Sequence, residues 1–184
     1  GSVRHTPMSR MFSIEGFKNT SEVLCDGSLD KPHMDLQNRD RLALGSICGI
    51  TALMNSGDGP TNGFAYYLGV KHNVPHGLAG AIFLNEVIYY NYEIKDYDEY
   101  AFFINPDGPY FNGAPPIMDF LRLIHRIYDE LKIPNLASFG FTENDMDEFV
   151  TGSMNALAGS FAGNPVEFGE DAVRHVYKKL VEEK

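Results

Sequence analysis

What this chain most lacks is a strand pattern. No run of alternating apolar and polar residues is bounded by hairpin turns, and the apolar residues recur at helical spacing instead. An all-α helical bundle is therefore the expected fold class. Long hydrophobic runs are also missing: none approaches the ~20 residues that cross a bilayer, which excludes a membrane-spanning helix. Basic residues are scarce, 15 against 25 acidic, for a net charge of -10. With no compact Lys/Arg patch to offset that charge, phosphate backbones and anionic lipid are repelled, so no nucleic acid and no membrane is expected as a partner. Cysteine occurs only at Cys25 and Cys48, too few for a disulfide scaffold or a thiolate metal site. Two small buried hydrophobes in a reducing, cytoplasmic compartment are expected. Gly1-Ser2 looks like a cloning scar, and the residues after it have neither the charged start nor the apolar stretch of a signal peptide. Asn19-Thr20-Ser21 fits the glycosylation pattern, but without a secretory signal it reads as chance. Internal repeats, heptad arrays and low-complexity tracts are absent.

What is present suits a globular core. The 184 residues, 43% hydrophobic and 22% charged, are enough to bury one domain. Residues 8–24 carry apolar side chains at roughly helical spacing, interrupted by Gly16, and "CDGSLDKPHMD" reads as a loop whose Asp35 can cap the next helix. Residues 1–35 thus form an N-terminal segment and loop, ahead of a helical domain over 36–184. Leu36 to Asn55 is expected to be a helix in which Leu42, Ala43, Ile47, Ile50, Leu53 and Met54 form a wide apolar face, ending at the turn residues of "NSGDGPTNG". A short helical piece comes next, from Phe64 to Val70, then a Pro-His-Gly turn. The next helix, Leu78 to about Tyr92, is apolar on most sides and should lie at the centre of the bundle. Later helices are expected over Tyr97–Ile104, Ile117–Leu131, from a Thr142 cap to about Leu157, and over Asp171–Lys184.

The segment "NGFAYYLGVKHNVPHGLAGAIFLNEVIYYN", Asn62 to Asn91, resembles the core of the C-terminal helical domain of the iron-type alcohol dehydrogenases, a superfamily that includes dehydroquinate synthase. That core has the form His-x-x-x-His-x-Leu-Gly, a short spacer, Pro-His-Gly-x-x-x-Ala, then an apolar helix closing on Asn, and it overlays this segment without a gap. "RDRLALGSICGITALMNSGDGP" is similar to the helix and Gly-rich loop before the motif, and "LKIPNLASFGFTENDMDEFV" with "GNPVEFGEDAVRHVYKKL" to the closing helices. The resemblance covers about Asp40 to Leu180. It implies an NAD(P)-dependent oxidoreductase acting on an alcohol or carbonyl compound, of which this chain is the substrate-side half. No Gly-rich strand-to-helix turn is present to cradle a pyrophosphate, so the cofactor-binding residues in this chain are unknown. NAD(P) would need a nucleotide-binding domain or subunit, and this chain alone is expected to be inactive. A fragment, a split subunit, a free-standing relic and a homo-oligomer all stay open.

The resemblance also implies a metal centre, which this sequence has largely lost. The family holds a divalent ion with an Asp and a His four residues later, the first core His and the His of Pro-His-Gly, because several donors must converge and leave a position for the substrate oxygen. His76 is the only matching ligand. Asn62 stands at the first core His, Tyr66 at the second, and Met8 and Phe12 fall where Asp and His are expected. Asp171 and His175 share the ligand spacing, but their helix matches an exposed closing one. No metal is therefore expected. A cyclase of the dehydroquinate synthase kind would need the same ion.

Two readings of His76 are kept: a hydrogen-bond or proton-relay group to a substrate oxygen with Tyr66 as its catalytic companion, or a helix-start histidine satisfied by backbone. Ser56, Gly59 and Asn62 are expected to wall a substrate pocket, although a tight helix connection alone accounts for Gly57, Gly59 and Pro60. His72 is expected at the surface, His125 in a hydrogen-bonded and partly buried place, and His5 and His33 in segments without a partner pattern. A second class of function is a catalytically silent helical domain kept for binding or assembly.

Overall fold

A computed structural model of the chain describes residues 2–25, 34–94 and 116–182. No strand occurs among them. The helices are α1 Pro7–Cys25, α2 Leu36–Ser56, α3 Pro60–His72, α4 His76–Ile94, α5 Pro116–Leu131, α6 Met146–Ala156, α7 Ala158–Phe161 and α8 Glu170–Glu182. The helix expected over 97–104, and most of the loops expected around 26–33 and 105–115, lie outside the described residues. By contact the chain divides into a larger unit, with described residues 2–3, 58–94 and 124–182, and a smaller one, with 4–25, 34–57 and 116–123.

In the smaller unit α1 is one unbroken helix through Gly16. Gly16 suits a close approach: a Cβ there would stand 3.1 Å from the Cys48 Cβ and from the Gly45 carbonyl oxygen of α2. Asp35 caps α2 as its position suggests, its carboxylate accepting from the Asn38 amide at 2.8 Å. The face α2 buries is not its most apolar one. Asn38, Gly45, Cys48 and Ala52 are buried, whereas Ile47, Ile50 and Met54 are 61%, 52% and 79% exposed. Small side chains let two helix axes approach, and the bulky stripe is left on another side.

In the larger unit the core is aromatic. Phe64 of α3 stacks on Phe83 of α4 at 4.5 Å and meets Phe149 of α6 at 5.8 Å and Phe161 of α7 edge-on at 5.4 Å. Offset and edge-on pairs of this kind match ring quadrupoles while burying large apolar areas. Helix α4 supplies Ala79, Ile82, Phe83, Val87 and Ile88 to the interior, as its apolar circumference implies. Phe83 and Val87 pack in this core, and Tyr90 lies edge-on to Phe168 at 5.0 Å. Helix α3 is longer than Phe64–Val70, because Pro60 supplies a preset first turn and Asn73, in the left-handed region at φ 56, closes the last one. The three-residue link 73–75 then returns the chain into α4.

Candidate functional site

The segment Asp58 to His76 carries most of the site residues expected from the sequence. Gly57, the C-cap of α2, has φ 71 and so needs glycine. Gly59 is different: its backbone is extended at φ -135, and nothing lies within 4 Å of where a Cβ would be. The connection therefore requires Gly57 but not Gly59, whose lack of a side chain leaves open space. Gly59 is the N-cap of α3, its carbonyl accepting from the Asn62 amide at 3.0 Å.

Asn62 and Tyr66, four residues apart, share one face of α3. Asn62 is half-buried and Tyr66 is 46% exposed. Helix α4 passes this part of α3 at Gly80, where a Cβ would lie 3.8 Å from Thr61 Cγ2 and 4.0 Å from Ala65 Cβ. His76, the first residue of α4, lies one turn before that crossing and is exposed. No hydrogen bond joins His76 to Tyr66 or Asn62 among the described residues. Ser56 ends α2 in the smaller unit, its hydroxyl donating to the Ala52 carbonyl at 2.9 Å.

Asp58 and Ser160 adjoin the candidate site through Asn62, and reasoning from the sequence missed them. One Asp58 carboxylate oxygen accepts from Asn62 Nδ2 and from Ser160 Oγ, the latter at 2.7 Å. The pairing of Asp58 with Asn62 four residues on was visible as a spacing. Ser160 is 102 residues away in sequence, and no local signal announces it.

His72, His125 and His175 occupy structural places. His72 is exposed at the end of α3, with its ring 4.7 Å from Phe141 and 5.6 Å from Tyr67. His125 of α5 is hydrogen-bonded as expected, its Nε2 3.0 Å from Asn85 Nδ2, but it is exposed rather than partly buried because it stands on the outer side of that contact. His175 lies 3.8 Å from Glu93 on α4, a neighbour other than Asp171. Tyr128, on the same helix as His125, donates to the Ala81 carbonyl at 2.6 Å, and burial pushes its ionisation far above the usual phenol range.

The donor set does not fit a divalent ion. Position 62 offers a neutral amide whose nitrogen is already bonded to Asp58, and positions 8 and 12 offer a thioether and a phenyl ring. Among the described residues no group of three or more His, Cys, Asp or Glu side chains could hold a metal. No described helix is long and apolar enough to cross a membrane.

Comparison with known proteins gives this geometry a context. The description "Fe-containing alcohol dehydrogenase family, C-terminal" matches residues 2–181. Alcohol dehydrogenase 4 of Schizosaccharomyces pombe is 28% identical over 152 residues, which is 80% of this chain and 34% of that protein. Among solved structures, a 1,3-propanediol oxidoreductase has a TM-score of 0.85 at 21% identity, over 97% of this chain and 47% of its own. A sulfoacetaldehyde reductase from Bifidobacterium kashiwanohense, solved in complex with NAD+, has a TM-score of 0.79 at 19% identity, over 100% and 46%. Likeness at such identities speaks for the fold. The chain spans about a third of the curated relative's length and just under half of the structural ones. The chain belongs to the Fe-containing alcohol dehydrogenase family, whose C-terminal, all-helical domain it carries.

Proposed function

We propose that this chain is the substrate-side half of an alcohol dehydrogenase-like oxidoreductase that works without a divalent metal and needs a separate NAD(P)-binding domain or subunit for hydride transfer. The family match over residues 2–181 carries the reading, together with a polar group of Asn62, Tyr66 and His76 on the α3–α4 pair where an ion would otherwise polarise the substrate oxygen. Tyr66 and His76 are the residues assigned to the reacting oxygen, as hydrogen-bond or proton-transfer groups. Gly59 is assigned to the pocket wall. The substrate class is a small alcohol or its carbonyl partner, as the relatives' names suggest. The chain by itself is inactive in this reading, since the described residues hold no strand-to-helix turn for a pyrophosphate. The buried free thiol of Cys48 supports a cytoplasmic setting.

The deciding experiment combines metal analysis with NAD(P)H titration and an alcohol and aldehyde turnover screen on the longest natural gene product. Nucleotide binding and turnover in metal-free protein is the expected result. Stoichiometric iron or zinc whose removal abolishes turnover would overturn metal independence. Absence of both nucleotide binding and turnover would sink the enzyme reading.

A second reading, a silent helical domain kept for binding or assembly, is favoured by one observation: the exposed apolar stripe of α2. Stable capture of a second copy or of another protein on that stripe, without turnover, would favour it.

A further inference from the structure

Helix α2 carries its exposed residues in an order that matches the same helix turned end for end. Leu36, Asp40, Ala43, Ile47, Ile50 and Met54 follow one another at alternating steps of four and three, the spacing that keeps a narrow seam on one side of a helix, and all of them are exposed. The run is shorter than a coiled-coil array. It lies on the side of α2 away from the buried Gly45, Cys48 and Ala52. The two ends of the seam carry opposite charge. Asp40 stands towards the N-terminal end and makes no ion pair among the described residues. Gly57, the seam position after Met54, has the Arg4 side chain beside it: a Cβ there would lie 3.8 Å from Arg4 Cδ and 4.0 Å from Arg4 Nη1. Between the two charges the seam is apolar.

Laid antiparallel on a copy of itself, α2 sets Ile47 opposite the partner's Ile50 and Ala43 opposite the partner's Met54. Asp40 then meets the partner's Gly57 and so stands beside the partner's Arg4. Each contact occurs twice, as two-fold symmetry requires. Antiparallel seams pack in this way, isoleucine against isoleucine and a small side chain against a long one. The arrangement also places each helix N-terminus by the partner's C-terminus, which suits the two macrodipoles. A parallel pairing would set Asp40 against the partner's Asp40, so the charges choose the direction.

We propose that the α2 seam is a self-association surface whose occupant is a second copy of this chain, paired antiparallel in this register. The inference names the partner that the assembly reading leaves open, and it rests on that reading. A helix face about 30 Å long and about 10 Å wide gives roughly 300 Å² a copy, against roughly 800 Å² a side in a tight complex. The pair is therefore weak and forms at high concentration.

Sedimentation equilibrium of the full chain between about 10 µM and about 1 mM reads the association directly, because only a self-associating chain gains mass with concentration. The wild type should move from monomer towards dimer across that range. Ile47→Glu, which presses a charge against the partner's Ile50, should weaken the pair at least about tenfold. Asp40→Lys and Arg4→Glu should each weaken it severalfold by setting like charges together. An equal mixture of those two variants should associate as the wild type does, since every charge again meets its opposite. A merely structural effect of either substitution is not repaired by mixing. A chain that stays monomeric throughout, a dimer that Ile47→Glu leaves intact, or a mixture no better than its components overturns the inference alone, and the seam is then left to a different partner such as a nucleotide-binding domain. A hydrophobic dye tests the assembly reading separately: at about 10 µM, where the chain is monomeric, Ile47→Glu should lower dye binding. Unchanged dye binding would mean that the seam is covered within the chain, and the assembly reading would fall together with the inference.

Discussion

Asn91 of α4 and Asn164 of the turn before α8 exchange two hydrogen bonds, Asn91 Nδ2 to Asn164 Oδ1 at 3.0 Å and Asn164 Nδ2 to Asn91 Oδ1 at 2.7 Å. Both side chains are buried, and Asn164 Nδ2 also donates to the Val166 carbonyl at 2.9 Å. The pair ties the Asn-Pro turn to α4 across a sequence separation of 73 residues. Removing Asn91 leaves the buried Asn164 Oδ1 without its donor, which costs more than the bond itself was worth. Asn91→Ala should lower unfolding free energy by about 2–3 kcal/mol in urea titration. The Asn91→Ala/Asn164→Ala double variant should lose less than the sum of the singles, since neither side chain of the pair is then left facing a missing partner.

The second prediction concerns alkaline pH. Tyr177 is fully buried, donates to the Thr142 carbonyl at 2.7 Å, and has its pKa pushed up to about 12, chiefly by burial and further by Asp145 and Tyr67. A phenol whose folded pKa exceeds its unfolded value of about 10 favours the native state while it stays protonated. Above pH 10 the unfolded chain releases this proton and the native one does not. Its contribution is therefore complete below about pH 10 and declines as pH rises towards 12. Tyr67 and Tyr90, raised mainly by burial, act in the same direction. Thermal melts in that window should show falling stability, and Tyr177→Phe should flatten the decline while costing about 1 kcal/mol at neutral pH.

Gly63, Gly152 and Gly163 mark close contacts, and Gly49 marks open space. A Cβ at Gly63 would come within 2.7 Å of the Phe161 ring, one at Gly152 would overlap the Tyr67 ring, and one at Gly163 would overlap the Asp58 carbonyl. Gly163→Ala meets backbone, which cannot rotate away, so a loss of about 2–3 kcal/mol is expected. At Gly49, inside α2, nothing lies within 4 Å. Gly49→Ala should stabilise by about 0.5–1 kcal/mol, because alanine loses less backbone entropy in a helix. Opposite signs in chemical denaturation would check both; a destabilising Gly49→Ala would show that the α2 surface there is covered.

The α2 stripe gives a fourth prediction. Ile47 and Ile50 are exposed, so Ile47→Glu with Ile50→Lys should change folding free energy by less than about 0.5 kcal/mol. Binding of a hydrophobic fluorescent dye should drop with it, as the apolar patch is broken. A large loss of stability would instead show that these side chains are packed in solution.

Much of the helical architecture was legible in sequence. Asp35 and Thr142 stand where the sequence leads one to expect caps, Thr142 in a capping box with Asp145. Helix α4 is central because it is apolar around its circumference. Pro-His-Gly does open a helix, with His76 as its first residue. Two matters were not legible. The apolar stripe of α2 suggests a core face, yet Gly45, Cys48 and Ala52 make the buried contact with α1, because axis separation rather than side-chain hydrophobicity chose the face. The amphipathic spacing around His125 suggests a half-buried ring, and one hydrogen bond to Asn85 holds it at an exposed position instead.

By itself the amino-acid order determined the helix ends, the aromatic and aliphatic residues available for a core, and the amide and phenol that stand at positions 62 and 66. These are local or compositional facts, set by spacing along a helix and by side-chain chemistry. Only the tertiary structure decided that Asp58 reaches Ser160 as well as Asn62, and that Asn91 locks Asn164. Such bonds join residues about a hundred or seventy positions apart, and their geometry exists only after packing of the Phe64 cluster has brought the helices together.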